Sequence, residues 1–304
     1  MIMDLRSKII LLSGPTASGK SSLAIKIAKK INGEIINADS MQVYKQLKIL
    51  SARPDPKQYQ KIRHHLYGFH DVKKNFSTGD WLKLVNKKIK NVQKRKRIPI
   101  LVGGTGLYFK ALTDGLVKIP KISLKLRNQI RNMQKKLGQK KFYEKLLKLD
   151  PFLKGKINPT DSQRSIRAYE VKKFTKKSLY EWFKNTKSNF LEADFLKVYI
   201  DYPRQQLIGR INLRTKEMIE NGAIKEVKNF IKLKVRKDKS ANKAIGVMEI
   251  KDFLNKEKDL EQIKEKIAIK TRQYAKRQST WARGNMMSWI KLKPKDINKF
   301  LKKI

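Results

Sequence analysis

One eight-residue segment constrains the fold of this chain more than any other feature. The segment consists of Gly14, Pro15, Thr16, Ala17, Ser18, Gly19, Lys20 and Ser21, and it fits the pattern G-x-x-x-x-G-K-[ST] at every fixed position. An aliphatic run, 8–12, precedes it, and a helical pattern begins at Ser21. In this context the glycines let backbone N–H groups converge on phosphate oxygens, Lys20 supplies a positive charge, and Ser21 offers Mg²⁺ a hydroxyl. The segment therefore predicts a di- or triphosphate site, but kinases, NTPases and other phosphate-ester enzymes share such a loop, so the reaction stays open.

Three more apolar runs predict buried strands at 34–38, 99–102 and 196–200. Helical patterns separate these runs, so the strands are expected to lie parallel in one sheet. The run 34–38 ends at Asp39 and Ser40, and the run 99–102 ends in the glycine-rich segment 103–106. Because ligands bind at the carboxyl edge of open parallel sheets, both loops are expected beside the phosphate site.

Helical patterns dominate the rest of the chain. Ser77 and Asp80 have the spacing of a capping box before a helix, and a long helix is predicted over Arg204–Glu220. No good strand pattern occurs in 121–186, and the C-terminal third is helical and basic. We predict a core whose first part is 1–118, a helical insertion over 119–190, and completion of the core with basic C-terminal helices over 191–304.

The charge of the chain is extreme. Lysine and arginine number 73 against 26 acidic residues, which gives a net charge of +47. Such a field attracts polyanions and favours a nucleic-acid partner, although drift towards lysine-rich composition produces the same excess. The chain has no cysteine, which excludes disulfides and thiolate sites, and its three histidines lack partners for a zinc set. We expect a cytoplasmic protein without a membrane span or a secretory signal.

Asp39 has two interpretations on the residues alone. An aspartate after a strand often caps the turn that follows. A carboxylate beside a phosphate site is also placed to act as a general base.

Motifs along nearly the whole chain resemble the tRNA dimethylallyltransferase family, also called the tRNA isopentenyltransferases. The resemblance is carried by GPTASGKS (14–21), INADSMQVYK (36–45), RHHLYGF (63–69), PILVGGTGLYFKAL (99–112), DPFLKGKINPTDSQRSIRAYEV (150–171), LRTKEMIENGAIKEV (213–227), AIGVMEI (244–250) and TRQYAKRQSTWAR (271–283). It implies an α/β fold with a P-loop NTPase/kinase-like parallel sheet core, a helical insertion and a helical C-terminal region. It also implies transfer of the dimethylallyl group of dimethylallyl diphosphate to the exocyclic amine of the adenosine 3′-adjacent to the anticodon of tRNA. Mg²⁺ is the implied cofactor, and we expect a monomer that binds the anticodon stem-loop.

The resemblance assigns chemical roles to four residues. Asp39 matches the family's general base for the adenine amine. Thr105 matches the threonine near the bridging oxygen of the donor. Lys20 and Arg214 would contact the diphosphate, with Mg²⁺ at Ser21.

The same resemblance implies a larger set of tRNA contacts. It comprises Asp39, Ser40, Met41, Gln42, Thr105, Arg127, Gln163, Arg164, Ser165, Ile166, Arg167, Arg272, Lys276, Arg277 and Gln278. Gln42 is expected to read the target base through its amide. For exposed arginines and lysines the alternative is a solvated helix face, and we apply that interpretation to Lys140 and its neighbours.

Two departures from the family pattern stand out. Leu50 replaces the usual glycine after the Asp39 loop and adds bulk near the expected site. Val247 and Met248 replace a tyrosine and a base, so no RNA contact is carried onto them.

Three rival functions remain at this stage. A small-molecule kinase would use the phosphate loop but leaves the Asp39 and 103–106 loops unexplained. A prenyltransferase acting on free adenine nucleotides would not need the basic insertion and C-terminal helix. A non-catalytic RNA-binding module would not need Asp39.

Overall fold

A six-stranded parallel sheet forms the centre of the computed structural model, which describes residues 4–5, 7–184 and 186–304. The strands are β1 (Ile9–Ser13), β2 (Gly33–Asn37), β3 (His64–His65), β4 (Ile98–Gly103), β5 (Phe195–Ile200) and β6 (Ile290–Leu292). Their order across the sheet is β3-β2-β4-β1-β5-β6, and every pairing is parallel. The predicted α/β class with a parallel core is confirmed.

Eleven α-helices occur in the described part of the chain. They are α1 (Lys20–Ile31), α2 (Thr78–Lys94), α3 (Gly106–Thr113), α4 (Leu124–Leu149), α5 (Ser162–Thr175), α6 (Leu179–Phe183), α7 (Arg204–Glu220), α8 (Ala223–Lys232), α9 (Val247–Leu254), α10 (Leu260–Asn285) and α11 (Ile297–Lys303). None of these helices is both long and apolar enough to cross a membrane.

The sheet buries both of its faces. Along β1, Ile10 and Leu12 pack in the cluster that contains α1 and α11, whereas Ile9 and Leu11 pack in the cluster that contains α2 and α3. Successive side chains of a strand point to opposite faces, so a strand covered on both sides reads as a continuous apolar run. Because all the strands are parallel, the residues that follow them lie together at the carboxyl edge of the sheet.

The chain divides into two compact units. The first contains Met1–Thr113 and Phe190–Ile304 and includes the sheet, and the second is Asp114–Asn189. The second unit has a core of its own, in which Phe142, Leu146 and Val171 are fully buried. In this unit α4 packs against α5, and α4 breaks at Gly138, whose φ of 71° lies in the left-handed region.

Several local predictions are confirmed. Ser77 caps α2 and forms the reciprocal capping box with Asp80. The apolar stripes of α1 and α2, which include Leu23, Ile27, Val85 and Ile89, are buried.

The sequence patterns missed two strands, because both are too short to show an alternation. β3 has only two residues, and β6 has three, of which Leu292 alone is buried. The prediction of an entirely helical C-terminal third is therefore wrong at β6, which extends the sheet next to β5.

Candidate active site

The phosphate loop connects the end of β1 to the start of α1. Ala17 (φ 65°) and Gly19 (φ 80°) adopt left-handed backbone conformations that bend the chain into the helix. The Lys20 amine donates a hydrogen bond to the Pro15 carbonyl across the loop, at 3.1 Å. The Ser18 hydroxyl is buried and has no hydrogen-bond partner among the described residues. The loop therefore combines a half-buried cation, an unused hydroxyl and the N-terminus of a 12-residue helix, which is a suitable environment for phosphate oxygens.

The Asp39 loop follows β2 and is held by side chain to backbone hydrogen bonds. The buried Asn37 side chain accepts from the Asp39 N–H (2.9 Å) and donates to the carbonyls of Asp39 and Leu66 (3.0 Å each). Oδ1 of Asp39 accepts from the N–H groups of Met41 (2.9 Å) and Gln42 (3.4 Å). Oδ2 has no hydrogen-bond partner within the described residues. Both interpretations of Asp39 hold in part, because one oxygen caps the turn and the other is left available for a substrate.

Thr105 ties this loop to the glycine-rich segment after β4. Its hydroxyl accepts a hydrogen bond from the Ser40 N–H at 3.0 Å and donates to the Ser40 hydroxyl at 3.3 Å. The Thr105 N–H also donates to the Ala38 carbonyl at 3.4 Å. The two loops are therefore joined, so that Asp39 and Thr105 lie at one edge of the sheet, as predicted.

Lys20, Asp39 and Arg214 influence one another electrostatically. Partial withdrawal from water lowers the pKa of Lys20 to about 8; the charge of Asp39 opposes this shift and that of Arg214 adds to it. Burial lowers the pKa of Arg214 as well, and Asp39 again opposes the change. Burial raises the pKa of Tyr67, Tyr108 and Tyr274, and the Asp39 charge contributes to each rise. Asp39 thus lies among two cations and three neutral phenols.

Arg210 is a candidate that sequence reasoning missed. Its Nε donates to the Ala17 carbonyl at 2.7 Å, and its guanidinium lies over the Tyr202 ring. Arg210 and Arg214 are four residues apart and therefore share one face of α7. The signal in the sequence that could have identified Arg210 is its spacing of four residues from Arg214.

Gln278 connects the phosphate loop to the glycine-rich segment. Its Oε1 accepts from the Thr16 N–H at 2.8 Å, and its Nε2 donates to the Gly104 carbonyl at 2.9 Å. A Cβ at Gly104 would lie 2.1 Å from Nε2 of Gln278, and one at Gly106 would lie 2.2 Å from the Trp281 ring. A side chain at either position would therefore have to displace Gln278 or Trp281 of α10.

A cavity of about 240 Å³ lies between these loops and α10. Gly14, Ser40 and Thr105 form its polar side, and Leu107, Trp281 and Met286 are among the side chains that form its largely apolar wall. An apolar wall directly beside a phosphate loop suits a ligand that carries both a hydrocarbon group and a phosphate.

The predicted tRNA contacts in the first unit occupy different environments. Gln42 donates both amide protons to the backbone, to Ser51 and Ala52 at 3.1 Å each, so only its Oε1 remains to read a base. Met41 is half-buried. Arg277 is exposed and lines the cavity beside Gln278. The amide oxygen and nitrogen of Gln278 both form hydrogen bonds with the two loops, so this residue positions the loops in the structure.

Arg272 and Lys276 lie beside a second cavity of about 530 Å³, between α7 and α10. Arg204 and Arg283 line the same cavity, and its floor includes Leu207. Arg272, Lys276 and Arg283 therefore share one face of α10, the face that borders this cavity.

The predicted contacts in the second unit lie at the start of α5 and on α4. Gln163 and Arg164 are exposed, and Arg164 pairs with Asp161 at 2.9 Å. Ile166 packs partly against the core of this unit. Ser165 is fully buried and its hydroxyl accepts a hydrogen bond from Gln139 at 3.2 Å, so its side chain is not on the surface where a direct contact was expected.

Comparison with known proteins identifies the family. The model for "IPP transferase" matches residues 42–285. A tRNA dimethylallyltransferase of Pelagibacter ubique is 62% identical over 302 residues, which covers 99% of this chain and 96% of that protein. The chain belongs to the IPP transferase family. A family member from Rickettsia massiliae, also a tRNA dimethylallyltransferase, is 43% identical and covers 94% of this chain and 79% of its own length.

Solved structures agree with this membership. The full-length tRNA isopentenylpyrophosphate transferase of Bacillus halodurans is 31% identical with a TM-score of 0.69, covering 97% of this chain and 95% of that one. A eukaryotic dimethylallyltransferase, captured in snapshots acting on tRNA, is 29% identical with a TM-score of 0.82, covering 94% of this chain and 73% of that one. These neighbours have a P-loop NTPase-like fold, and the six-stranded parallel sheet of this chain agrees with it.

The family match itself begins after the phosphate loop and Asp39. The relationship of those residues to the family therefore rests on the whole-chain similarity to the Pelagibacter protein, which spans 99% of the chain.

Leu50, where the family usually has glycine, packs against Gly246. A Cβ at Gly246, whose φ is 102°, would lie 2.5 Å from Cδ2 of Leu50. Leu50 and Val247 belong to one buried cluster, whereas Met248 of the second departure is exposed.

Proposed function

We propose that this chain transfers the dimethylallyl group of dimethylallyl diphosphate to the exocyclic amine of the adenosine 3′-adjacent to the anticodon of tRNA. The observation that carries the proposal is that a cavity with an apolar wall, lined by Gly14 of the phosphate loop and by Ser40 and Thr105, lies next to the electrostatically coupled Lys20 and Asp39. The phosphate loop suits the diphosphate of the donor, and the apolar wall suits its five-carbon group. The names of the relatives supply the reaction and the tRNA acceptor.

In the proposed step the amine nitrogen attacks the allylic carbon that bears the diphosphate. A new N–C bond forms while the C–O bond breaks, and its electron pair leaves with the diphosphate. The amine proton passes to Asp39 Oδ2, the oxygen that has no other partner. An amine conjugated with adenine is a poor nucleophile, so removal of its proton as the bond forms lowers the barrier.

The leaving group needs stabilisation because its negative charge grows as the C–O bond breaks. Thr105, Lys20 and Arg214 are the proposed donors to that charge, and Arg210 supports the phosphate loop from α7. The Ser21 hydroxyl would hold Mg²⁺ together with diphosphate oxygens, a hard-oxygen set that suits this ion. When bound, Mg²⁺ would neutralise charge on the diphosphate.

The proposed partner is the anticodon stem-loop, contacted by the exposed basic residues of both units. We further propose a monomer that works in the cytoplasm, where its tRNA substrate is found.

The test is to incubate the purified protein with Mg²⁺, labelled dimethylallyl diphosphate and unmodified tRNA, and to analyse the nucleosides by mass. We expect one dimethylallyl group on the adenosine beside the anticodon, and none on free AMP. Transfer to AMP alone would instead assign a free-nucleotide prenyltransferase. Absence of transfer to both acceptors would refute the proposal.

A further inference from the structure

A buried carboxylate in the second unit has three arginines around it. Glu170 on α5 has a side chain that is 2% exposed. Arg127 and Arg131 on α4 approach its Oε1 through Nε at 3.5 and 3.9 Å, and Arg167 approaches its Oε2 through Nη1 at 3.4 Å. One negative charge therefore faces three positive charges.

This arrangement leaves an outward-facing surplus of charge. The three arginine side chains are 37%, 44% and 42% exposed, so each guanidinium reaches solvent while one of its nitrogens faces Glu170. A guanidinium has five N–H donors, and the contacts with Glu170 occupy few of them. Among the described residues, Oε1 of Glu170 and Nε of Arg127 make no hydrogen bond at all. The local balance is three cations against one anion, a net charge of +2.

A buried carboxylate is costly unless cations accompany it, and three clustered cations repel one another unless an anion lies between them. Glu170 meets both conditions. It links neighbouring helices, because Arg127 and Arg131 are one turn apart on α4 and Arg167 precedes Glu170 by three residues on α5. The stability of the unit does not require a charged group at this position, since an apolar residue at 170 could fill it in the core.

We propose that Arg127, Arg131 and Arg167 form a phosphate-binding triad for the RNA backbone, and that Glu170 is the positioning residue that orients them. The triad adds Arg131 and Glu170 to the RNA-binding surface, and it rests on the proposed tRNA substrate. Planar guanidinium groups suit phosphate oxygens, and charge-assisted contacts of this kind fix the register of a nucleic acid. Glu170 touches no RNA and acts through the arginines.

The positioning role of Glu170 and the net charge of the protein predict opposite changes in RNA affinity when Glu170 is neutralised. Glu170→Gln removes a negative charge from an RNA-binding protein, which by charge alone would tighten RNA binding. If Glu170 orients the triad, the variant is expected to bind an anticodon stem-loop about tenfold more weakly, because the arginines separate and contact fewer phosphates. The slope of log Kd against log salt is expected to become shallower by about 1, since fewer counterions are released. The control is Glu144→Gln, an exposed glutamate on α4 with the same change of charge, which should leave both quantities unchanged or tighten binding slightly.

A second pair of variants keeps the test decisive if Glu170→Gln lowers the melting temperature. Arg131→Gln is compared with Lys140→Gln, which removes the same charge from an exposed position on the same helix. The triad predicts about tenfold weaker binding and a slope reduced by about 1 for Arg131→Gln, with little change for Lys140→Gln. In the double variant Glu170→Gln, Arg131→Gln the two losses should not add, because both act on one contact.

The proposal is overturned if Glu170→Gln folds normally and binds the stem-loop as tightly as the Glu144→Gln control, or if Arg131→Gln and Lys140→Gln behave alike. The assay measures RNA affinity and not turnover. A wild-type protein that binds the stem-loop but transfers no prenyl group would therefore refute only the proposed function. The RNA affinities of the variants would still show whether the triad binds the RNA backbone.

Discussion

The carboxyl edge of the sheet and the second unit place polar groups in opposite ways. At the sheet edge, Asp39, Thr105 and Gln278 are held mainly by hydrogen bonds to the backbone. In the second unit, Arg127 and Arg131 are half-exposed and meet only a buried carboxylate, at 3.5 Å or more. Bond making needs groups fixed to within a fraction of an ångström. Binding a flexible polyanion needs positive charge that can adjust. The difference predicts that changes at the edge alter turnover, whereas changes in the second unit alter RNA affinity and its salt dependence.

The largest effect is expected for Asp39→Ala. Loss of a general base lowers kcat by about 10²- to 10⁴-fold, while the Kd for tRNA should change little because Asp39 is one of many proposed RNA contacts and the others remain. Single-turnover transfer and RNA binding, measured on the same preparation, separate the two quantities. An equal loss in both would show that Asp39 acts through RNA binding, and the comparison would then fail.

The next effect concerns Lys20 and the pH. Its pKa is lowered to about 8 by burial, and the protonated amine is the form that attracts the diphosphate. Donor affinity should therefore be full below pH 8 and should fall as the pH rises through 8. The measurement is the Kd for dimethylallyl diphosphate between pH 7 and 10. The control is Lys20→Arg, whose guanidinium stays charged, so its Kd should not change over this pH range. Lys20→Ala should weaken the donor at every pH, and unchanged donor affinity in that variant would contradict the phosphate-loop assignment.

A smaller loss is expected for Gln278→Leu, which keeps the volume but removes both hydrogen bonds between the loops. We expect kcat/KM for the donor to fall about tenfold, as for a misplacement of reacting groups, with no change in the salt dependence of tRNA binding. Gln273→Leu, on an exposed position of the same helix, is the matched control. If Gln278→Leu weakened only tRNA binding, the residue would belong with the RNA contacts implied by the family resemblance.

The smallest effect on catalysis is expected for Leu50→Ala. Leu50 is 8% exposed and packs on Gly246, so its truncation should lower the free energy of unfolding by about 2–5 kcal/mol. The value of kcat should be nearly unchanged, because the Leu50 side chain packs on Gly246 and does not line the cavity beside Thr105. Urea unfolding measures the difference, with the exposed Leu213→Ala expected within about 0.5 kcal/mol of wild type. Loss of activity without loss of stability would place Leu50 in the site.

The fold class and the helices α1, α2 and α7 could be predicted from the sequence because their signals are local. The pattern at 14–21, the capping pair Ser77 and Asp80, and the stripes of α1 and α2 each depend on neighbours within a few residues. Strands β3 and β6 could not be predicted, since two and three residues are too few to show a pattern and only their pairing with β2 and β5 defines them as strands.

The same division applies to the site. The sequence by itself determined the phosphate loop and the types of residue that follow each strand, because parallel strands bring their carboxyl ends to one edge. Only the tertiary structure decided that Gln278 joins two of those loops, that Gln42 gives its amide protons to the backbone, and that Glu170 lies among three arginines. Each of these side chains meets partners on another element, and hydrogen bonds and ion pairs depend on distance in space, which no spacing along the chain specifies.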